Sequence, residues 1–233
     1  MKFRLRLLRL VLAIAPAVMA PVLANAQVAP SAAEIAAYRG LHAAAATGDT
    51  AEIERLAKAG HPLDARDGHK RTPLHVAAHL HRNEAAALLM RLGADANALD
   101  ADKYDIVTIA AVADDVPMLK VALAGGCRAG NITSPYDGTA LIAAAHLGHD
   151  EVVRILIAAK APLDHVNNLH WTALIESIVL GDGGRRHTAT LEALVKAGAN
   201  LALADRNGNT PLTLARGRGY TDMVAILTAA GAR

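Results

Sequence analysis

Eleven histidines and a single cysteine are the residues of this 233-residue chain that most readily suggest chemistry. His75 and His79 stand four apart, the spacing that puts two imidazoles on one face of a helix, and His81 follows closely. Such a pair can begin a metal site. A zinc site needs three or four ligands, however, and no further ligand follows at a fixed spacing. A second group, Glu176, Asp182 and His187, surrounds the glycine-rich run Gly181 to Gly184. Two carboxylates and an imidazole could move protons if a pocket gathered them. The run itself does not follow a strand and lacks the lysine of a phosphate-binding loop. The chain also has no nucleophile elbow and no His-Glu-x-x-His motif. The reactive side chains therefore match no known catalytic arrangement, and the elements that hold them carry the argument.

Those elements repeat. From Asn207 to Arg233 the chain reads as a turn at Gly208, then a short helix opened by Thr210-Pro211. A second apolar-periodic run, Met223 to Ala230, is closed by Gly231. One turn and two short helices cannot bury their own apolar faces, so copies must stack beside them. The helix-opening position recurs at Arg39, Thr72, Asp105, Thr139, Thr172 and Thr210, in steps of 33, 33, 34, 33 and 38 residues. The residue closing each second helix recurs at Gly60, Gly93, Gly126, Lys160, Gly198 and Gly231, in steps of 33, 33, 34, 38 and 33. Two independent rulers agree on a unit near 33 residues made of a turn and two helices.

The motifs make the pattern specific. Thr72-Pro73-Leu74-His75-Val76-Ala77-Ala78 resembles the T-P-L-H-x-A-A opening of an ankyrin repeat. Thr139-Ala140-Leu141, Thr172-Ala173-Leu174 and Thr210-Pro211-Leu212 are weaker copies. Gly148-His149-Asp150-Glu151-Val152-Val153 is similar to that family's second-helix start. Gly93-Ala94-Asp95-Ala96-Asn97 and Gly198-Ala199-Asn200 are similar to its exit. The resemblance covers about residues 31 to 233. It implies an all-α ankyrin-repeat solenoid with β-turn or hairpin fingers. An N-terminal segment and capping helix would occupy 27–38, and about six repeats 39–233. It also implies a structural role for His42 and His75, the motif histidines, and for His149 between helices.

Residues 1 to 26 read as a signal peptide rather than as part of this fold. Lys2, Arg4, Arg6 and Arg9 precede an apolar core from Leu10 to Leu23, and Ala24-Asn25-Ala26 offers a cleavage site before Gln27. Pro16 and Pro21 interrupt the apolar run, which is short against the ~20 residues that span a bilayer. Export to the periplasm with cleavage after Ala26 is expected, with no stable membrane insertion afterwards. Four of the 24 basic residues lie in this segment, which leaves 20 against 22 acidic ones and a net charge of −2. Nothing in that balance argues for nucleic acid. Cys127 is alone, so there is no intramolecular disulfide, and its place after a helix-ending glycine suggests a small buried thiol.

Ser31-Ala32-Ala33-Glu34 is a capping-box pattern, and its helix is expected to run through Tyr38 into the first repeat. The third copy replaces threonine by Asp105, which still caps a helix, and Pro117 suits the first position of the next. The fifth copy carries five extra residues within 181–187, expected to project as a flexible, basic insertion between its helices.

What remains is a surface. In ankyrin-like arrays partners meet the fingers and the inner, first helices. That implication selects Arg71, Tyr104, Tyr136 and Trp171 on fingers and His79, Leu80, Val112, His146, Leu147, Leu180 and Arg218 on helices, with Arg185 and Arg186 on the insertion. After cleavage the chain keeps five aromatics, and three of them fall on neighbouring fingers. Aromatic and arginine side chains dominate many interfaces. The expectation is a non-enzymatic, monomeric module without a cofactor. It would bind another protein, as accessory or protective factor of an exported enzyme. The alternatives are metal or cofactor binding by concave-face histidines, and a small-molecule site around Glu176, Asp182 and His187.

Overall fold

The computed structural model describes residues 27–233, and the expected signal peptide lies outside them. A short helix α1 (Ala32–Ala37) leads into six helix pairs. They are α2 (Gly40–Thr47) with α3 (Thr50–Lys58), α4 (Pro73–His79) with α5 (Asn83–Arg91), and α6 (Ile106–Val112) with α7 (Val116–Ala124). There follow α8 (Ala140–Leu147) with α9 (Asp150–Ala158), α10 (Ala173–Val179) with α11 (Arg185–Lys196), and α12 (Pro211–Arg218) with α13 (Thr221–Ala229). The first helices stack in one row, α2 on α4, α6, α8, α10 and α12, and the second helices stack in another. This is the all-α solenoid implied by the period.

Each inner helix starts as its sequence dictates. The side chains of Thr72, Asp105, Thr139, Thr172 and Thr210 all accept from the backbone N–H three residues on, and Pro73 and Pro211 fill first-turn positions without a usable donor. Leu41, Leu74, Val107, Leu141, Leu174 and Leu212 form a buried row two residues after each opening. Each such side chain contributes about 2 kcal/mol of apolar burial. Ala44-Ala45, Ala77-Ala78, Ala110-Ala111 and Ala144-Ala145 are buried behind that row, where only a methyl group fits between closely stacked helices. Lys160 takes the left-handed conformation (φ 64°) that glycine supplies at the corresponding end of the other repeats.

The fingers are Asx turns rather than hairpins. Asp67, Asp100, Ser134, Asn167 and Asp205, each five residues before a helix opening, accept from the backbone N–H groups two and four residues on. Among the described residues the only bridge is Thr133 with Gly138. Adjacent fingers are joined by one backbone–backbone hydrogen bond each, Ala101 N–H to His69 O (2.9 Å), Ser134 N–H to Lys103 O (3.1 Å) and Asn168 N–H to Tyr136 O (3.0 Å), beside side-chain contacts such as Asn168 Nδ2 to Pro135 O (3.2 Å).

Two expectations are corrected. The N-terminal capping box forms, but the helix ends at Tyr38 instead of entering the first repeat. Tyr38 is extended (ψ 148°), because its hydroxyl donates to Asp67 Oδ2 at 2.7 Å and its ring lies against His42. The insertion is not a projecting loop. It lengthens α11 to 12 residues against the 9 of α9, and the glycine run packs on the last repeat. A Cβ at Gly183 would lie 2.4 Å from the Tyr220 ring, and Tyr220 Oη donates to Gly181 O at 2.8 Å.

Candidate functional site

The motif histidines are inter-repeat ties. The backbone N–H of Thr72 donates to His75 Nδ1 at 3.2 Å, which leaves the proton on Nε2 to reach Tyr104 O at 3.1 Å in the next finger. Burial lowers the pKa of this ring below its ordinary value. His42 Nε2 donates to Arg71 O at 3.0 Å in the same way. Between helices, Arg82, His149, His187 and Tyr220 donate to carbonyls of the preceding unit at Ala46, Ala111, His146 and Gly181. These contacts satisfy inner-helix ends that would otherwise be left open.

Arg71 and Tyr104, expected at finger tips, are corrected to buried positions, 0% and 7% exposed. Both precede a helix opening, where the side chain folds beneath its own finger. Arg71 donates to Asp67 Oδ2 at 2.7 Å and Val28 O at 3.0 Å, and it pairs with Glu34. A charge this deep is tolerated because every donor direction is answered by an acid or a carbonyl. An aspartate four residues ahead of an arginine within one turn was the available signal in the sequence. Arg186, expected on a free basic lip, is tied down by Asp114 (2.6 Å) and Asp150 (3.6 Å). Arg185 and Arg218 are exposed.

The remaining residues divide by height along the inner helices. Leu147 (39% exposed) and Leu180 (42%) end α8 and α10 at the same register, and Leu80 is half-buried at that register in the second repeat. Val112, Tyr136 and Trp171 are half-buried. His79 is half-buried with its Nε2 enclosed and without a hydrogen bond, and burial lowers its pKa to about 4. His79 and His146 belong to non-adjacent repeats. Among the described residues no group of three or more histidine, cysteine or acidic side chains is placed to share a metal ion.

Sequence reasoning missed Ile132, Val166 and Leu169, exposed apolar residues on the fingers that precede repeats four and five. Only Leu169 had a comparative signal, since its register holds His69, Asp102, Tyr136 and Asn207 in other fingers, whereas the registers of Ile132 and Val166 carry apolar residues in other repeats as well. Five of the seven large apolar side chains exposed among the described residues fall on these two units, which concentrates exposed apolar surface on this part of the array.

Under the patch lies Glu176, 4% exposed, with Asn167 Nδ2 donating to Oε1 at 2.9 Å and His146 Nδ1 3.6 Å from Oε2. Burial raises its pKa from 4.5 to about 7, against the lowering effect of the Asn167 hydrogen bond. Burial, and then the neighbouring His187 and His149, lower the pKa of His146. Asp182 and His187 meet each other at 2.8 Å, and His187 touches only the backbone carbonyl of His146, so no common pocket gathers the three groups proposed for chemistry.

A family profile described as "Ankyrin repeats (3 copies)" matches residues 107–201, and one described as "Ankyrin repeat" matches 69–101. The ankyrin repeat protein YahD of Escherichia coli (strain K12) is 31% identical over 190 residues, which cover 81% of this chain and 94% of that protein. The crystal structure of an ankyrin repeat domain (ABAYE2397) from Acinetobacter baumannii AYE is 42% identical with a TM-score of 0.77, covering 83% of this chain and 98% of the other. A chain from the complex of the Bdellovibrio bacteriovorus predatory endopeptidase Bd0816 with the immunity protein Bd3460 is 22% identical with a TM-score of 0.68, covering 82% and 98%, a likeness of fold. Capped helix pairs, histidine ties between fingers and these matches agree: the chain belongs to the ankyrin-repeat family, whose fold is a general one for protein–protein interaction.

Proposed function

We propose that this chain is a non-enzymatic binding module, exported to the periplasm, that grips one protein partner with repeats four and five. The observation that carries the reading is the concentration of exposed apolar side chains on these two units, Leu147 and Leu180 at the inner-helix ends and Ile132, Val166 and Leu169 on the fingers. Half-buried Trp171 and Tyr136 stand on the same two fingers and supply aromatic anchors, while Arg185 is exposed on repeat five and Arg218 on the next unit. The solvent-facing part of these leucines contributes nothing to stacking, so a contact that covers it is the physical gain. The basic start, apolar core and small-residue cleavage site of residues 1–26 support export. An exported enzyme is the partner class to test first. The complex of Bd0816 with the immunity protein Bd3460 is a reason to include peptidases.

The test is capture from periplasmic extract with protein starting at Gln27, identification of the captured chain, and reconstitution with that chain purified. The double variant Leu147→Ala, Leu180→Ala should weaken the purified complex at least about tenfold, since each truncation removes an exposed apolar anchor worth about 1 kcal/mol. Equal affinity for both proteins would move the site off this face.

A further inference from the structure

Glu176 departs from its register in a way the fold does not require. Four residues after each helix opening the other repeats place Ala43, Val76, Ile109, Ala143 and Leu214, all apolar. A carboxylate buried there loses hydration and gains one hydrogen bond, so it weakens repeat five. A second departure accompanies it. The finger position of Asn167 is aspartate at Asp67, Asp100 and Asp205 and serine at Ser134, and an aspartate there would set a second carboxylate against Glu176. As asparagine it keeps the turn, with Oδ1 accepting from Leu169 and Trp171, and turns Nδ2 onto Glu176 Oε1. Two linked changes that together hold one carboxylate in place, at a stability cost, mark a site built for something other than stacking.

We propose that Glu176 is the docking point for a basic side chain, lysine or arginine, of the protein partner. This rests on the reading of repeats four and five as the binding face. Oε2 accepts no hydrogen bond, and the nearest group is the ring of His146 at 3.6 Å. Leu180, four residues on from Glu176, caps the end of α10, and Leu147 follows His146 on α8. The methylene stem of a lysine or arginine packs between these leucines while its charged end reaches Oε2. The ionisable groups around the carboxylate are few. His146 faces it from α8, and behind that ring stand His187 of α11, held by Asp182, and His149. On the other neighbour, α12, Arg216 and Arg218 are exposed. No cation therefore neutralises Glu176 within the protein, and the partner supplies it. Burial holds much of this carboxyl protonated near neutrality, so docking drives its proton into the buffer and leaves a carboxylate–cation pair.

The test is a nuclear magnetic resonance titration of full mature protein and of Glu176→Gln with N-acetyl-L-argininamide. N-acetyl-L-norleucinamide and zinc chloride serve as separate arms. The arginine derivative is expected to move the His146 ring and the Leu147 and Leu180 methyl signals saturably. It should also lower the Glu176 titration midpoint by about one pH unit, a tenfold gain for the ionised form. Glu176→Gln, with an otherwise unchanged amide spectrum, should lose the response. An equal response to the norleucine derivative, a response retained in Glu176→Gln, or none at the highest soluble concentration overturns the proposal. A response to zinc alone overturns it too, and reassigns Glu176 with His146 to a metal. If the docking point fails while Leu147→Ala, Leu180→Ala still weakens the reconstituted complex, the binding face stands without it.

Discussion

Replacing Glu176 by glutamine should stabilise the protein, and only above a defined pH. The unfolded carboxyl ionises near 4.5, whereas the folded one keeps its proton to about 7 because burial opposes the charge. Between these values unfolding releases a proton, so stability falls as pH rises; above both the whole cost is present. Carrying the carboxyl from 4.5 to about 7 corresponds to about 3 kcal/mol, and the side chain is buried enough that solvent does not screen it away. Glutamine has nearly the same shape and still accepts from Asn167, so the two proteins should differ little near about pH 4 and diverge through neutrality. Urea unfolding of both from about pH 4 to about pH 8 measures the difference, and thermal midpoints should separate by roughly 6–12 °C at the upper end. Hydrogen exchange of the α10 amides reads the same cost locally, since a repeat is stabilised by its neighbours alone. A constant offset at every pH, or a wild type that gains on the variant with rising pH, would refute the reasoning.

Other outcomes follow from named contacts. Arg71→Met should destabilise by about 3–5 kcal/mol in urea unfolding, because Asp67 is left buried without its cation, and protection of α1 should fall first. Cys127, held 3.0 Å from Ala96 O with its pKa pushed up to about 12 by burial, has roughly one thiolate in ten thousand at about pH 8. A maleimide should therefore label it at the rate of unfolding rather than at the rate of an open thiol. Gly183→Ala should cost at least about 1–2 kcal/mol and loosen α13, since φ is +70° and the new methyl meets the Tyr220 ring.

The solenoid was legible because its signals are local and recur. A hydroxyl or carboxylate cap, a leucine two residues on and a left-handed closing residue each act within one unit, and six copies reinforce one another. The fate of Arg71 and Tyr104 was harder to read. Whether a side chain before a helix folds under its finger depends on the acceptors there, Asp67, Glu34 and Val28 O for Arg71. Two of those three come from outside its own repeat. The insertion misled for a related reason. Glycines suggest a loose loop, yet Gly181 and Gly183 are small because Tyr220 and His187 crowd against them. The patch on repeats four and five was half visible, through Leu147, Leu180 and Trp171. Leu169 emerges when fingers are compared position by position, but Ile132 and Val166 do not, because Ala98, Leu203 and Leu99 stand at the same registers elsewhere.

The tether from Arg186 to Asp114 has a mechanical consequence. A stack in which each unit touches only its neighbours bends like a spring, and its weakest junction sets its compliance. Arg186 on the fifth unit reaches Asp150 on the fourth and Asp114 on the third, and so spans two junctions with one side chain. That tie holds three consecutive units together through one side chain, so it adds stiffness to the segment that carries Leu147 and Leu180. Arg186 is about half exposed and Asp114 about a third, and added salt weakens such pairs. The array should therefore grow more pliable at high ionic strength, with its added play at the junctions of the third, fourth and fifth units.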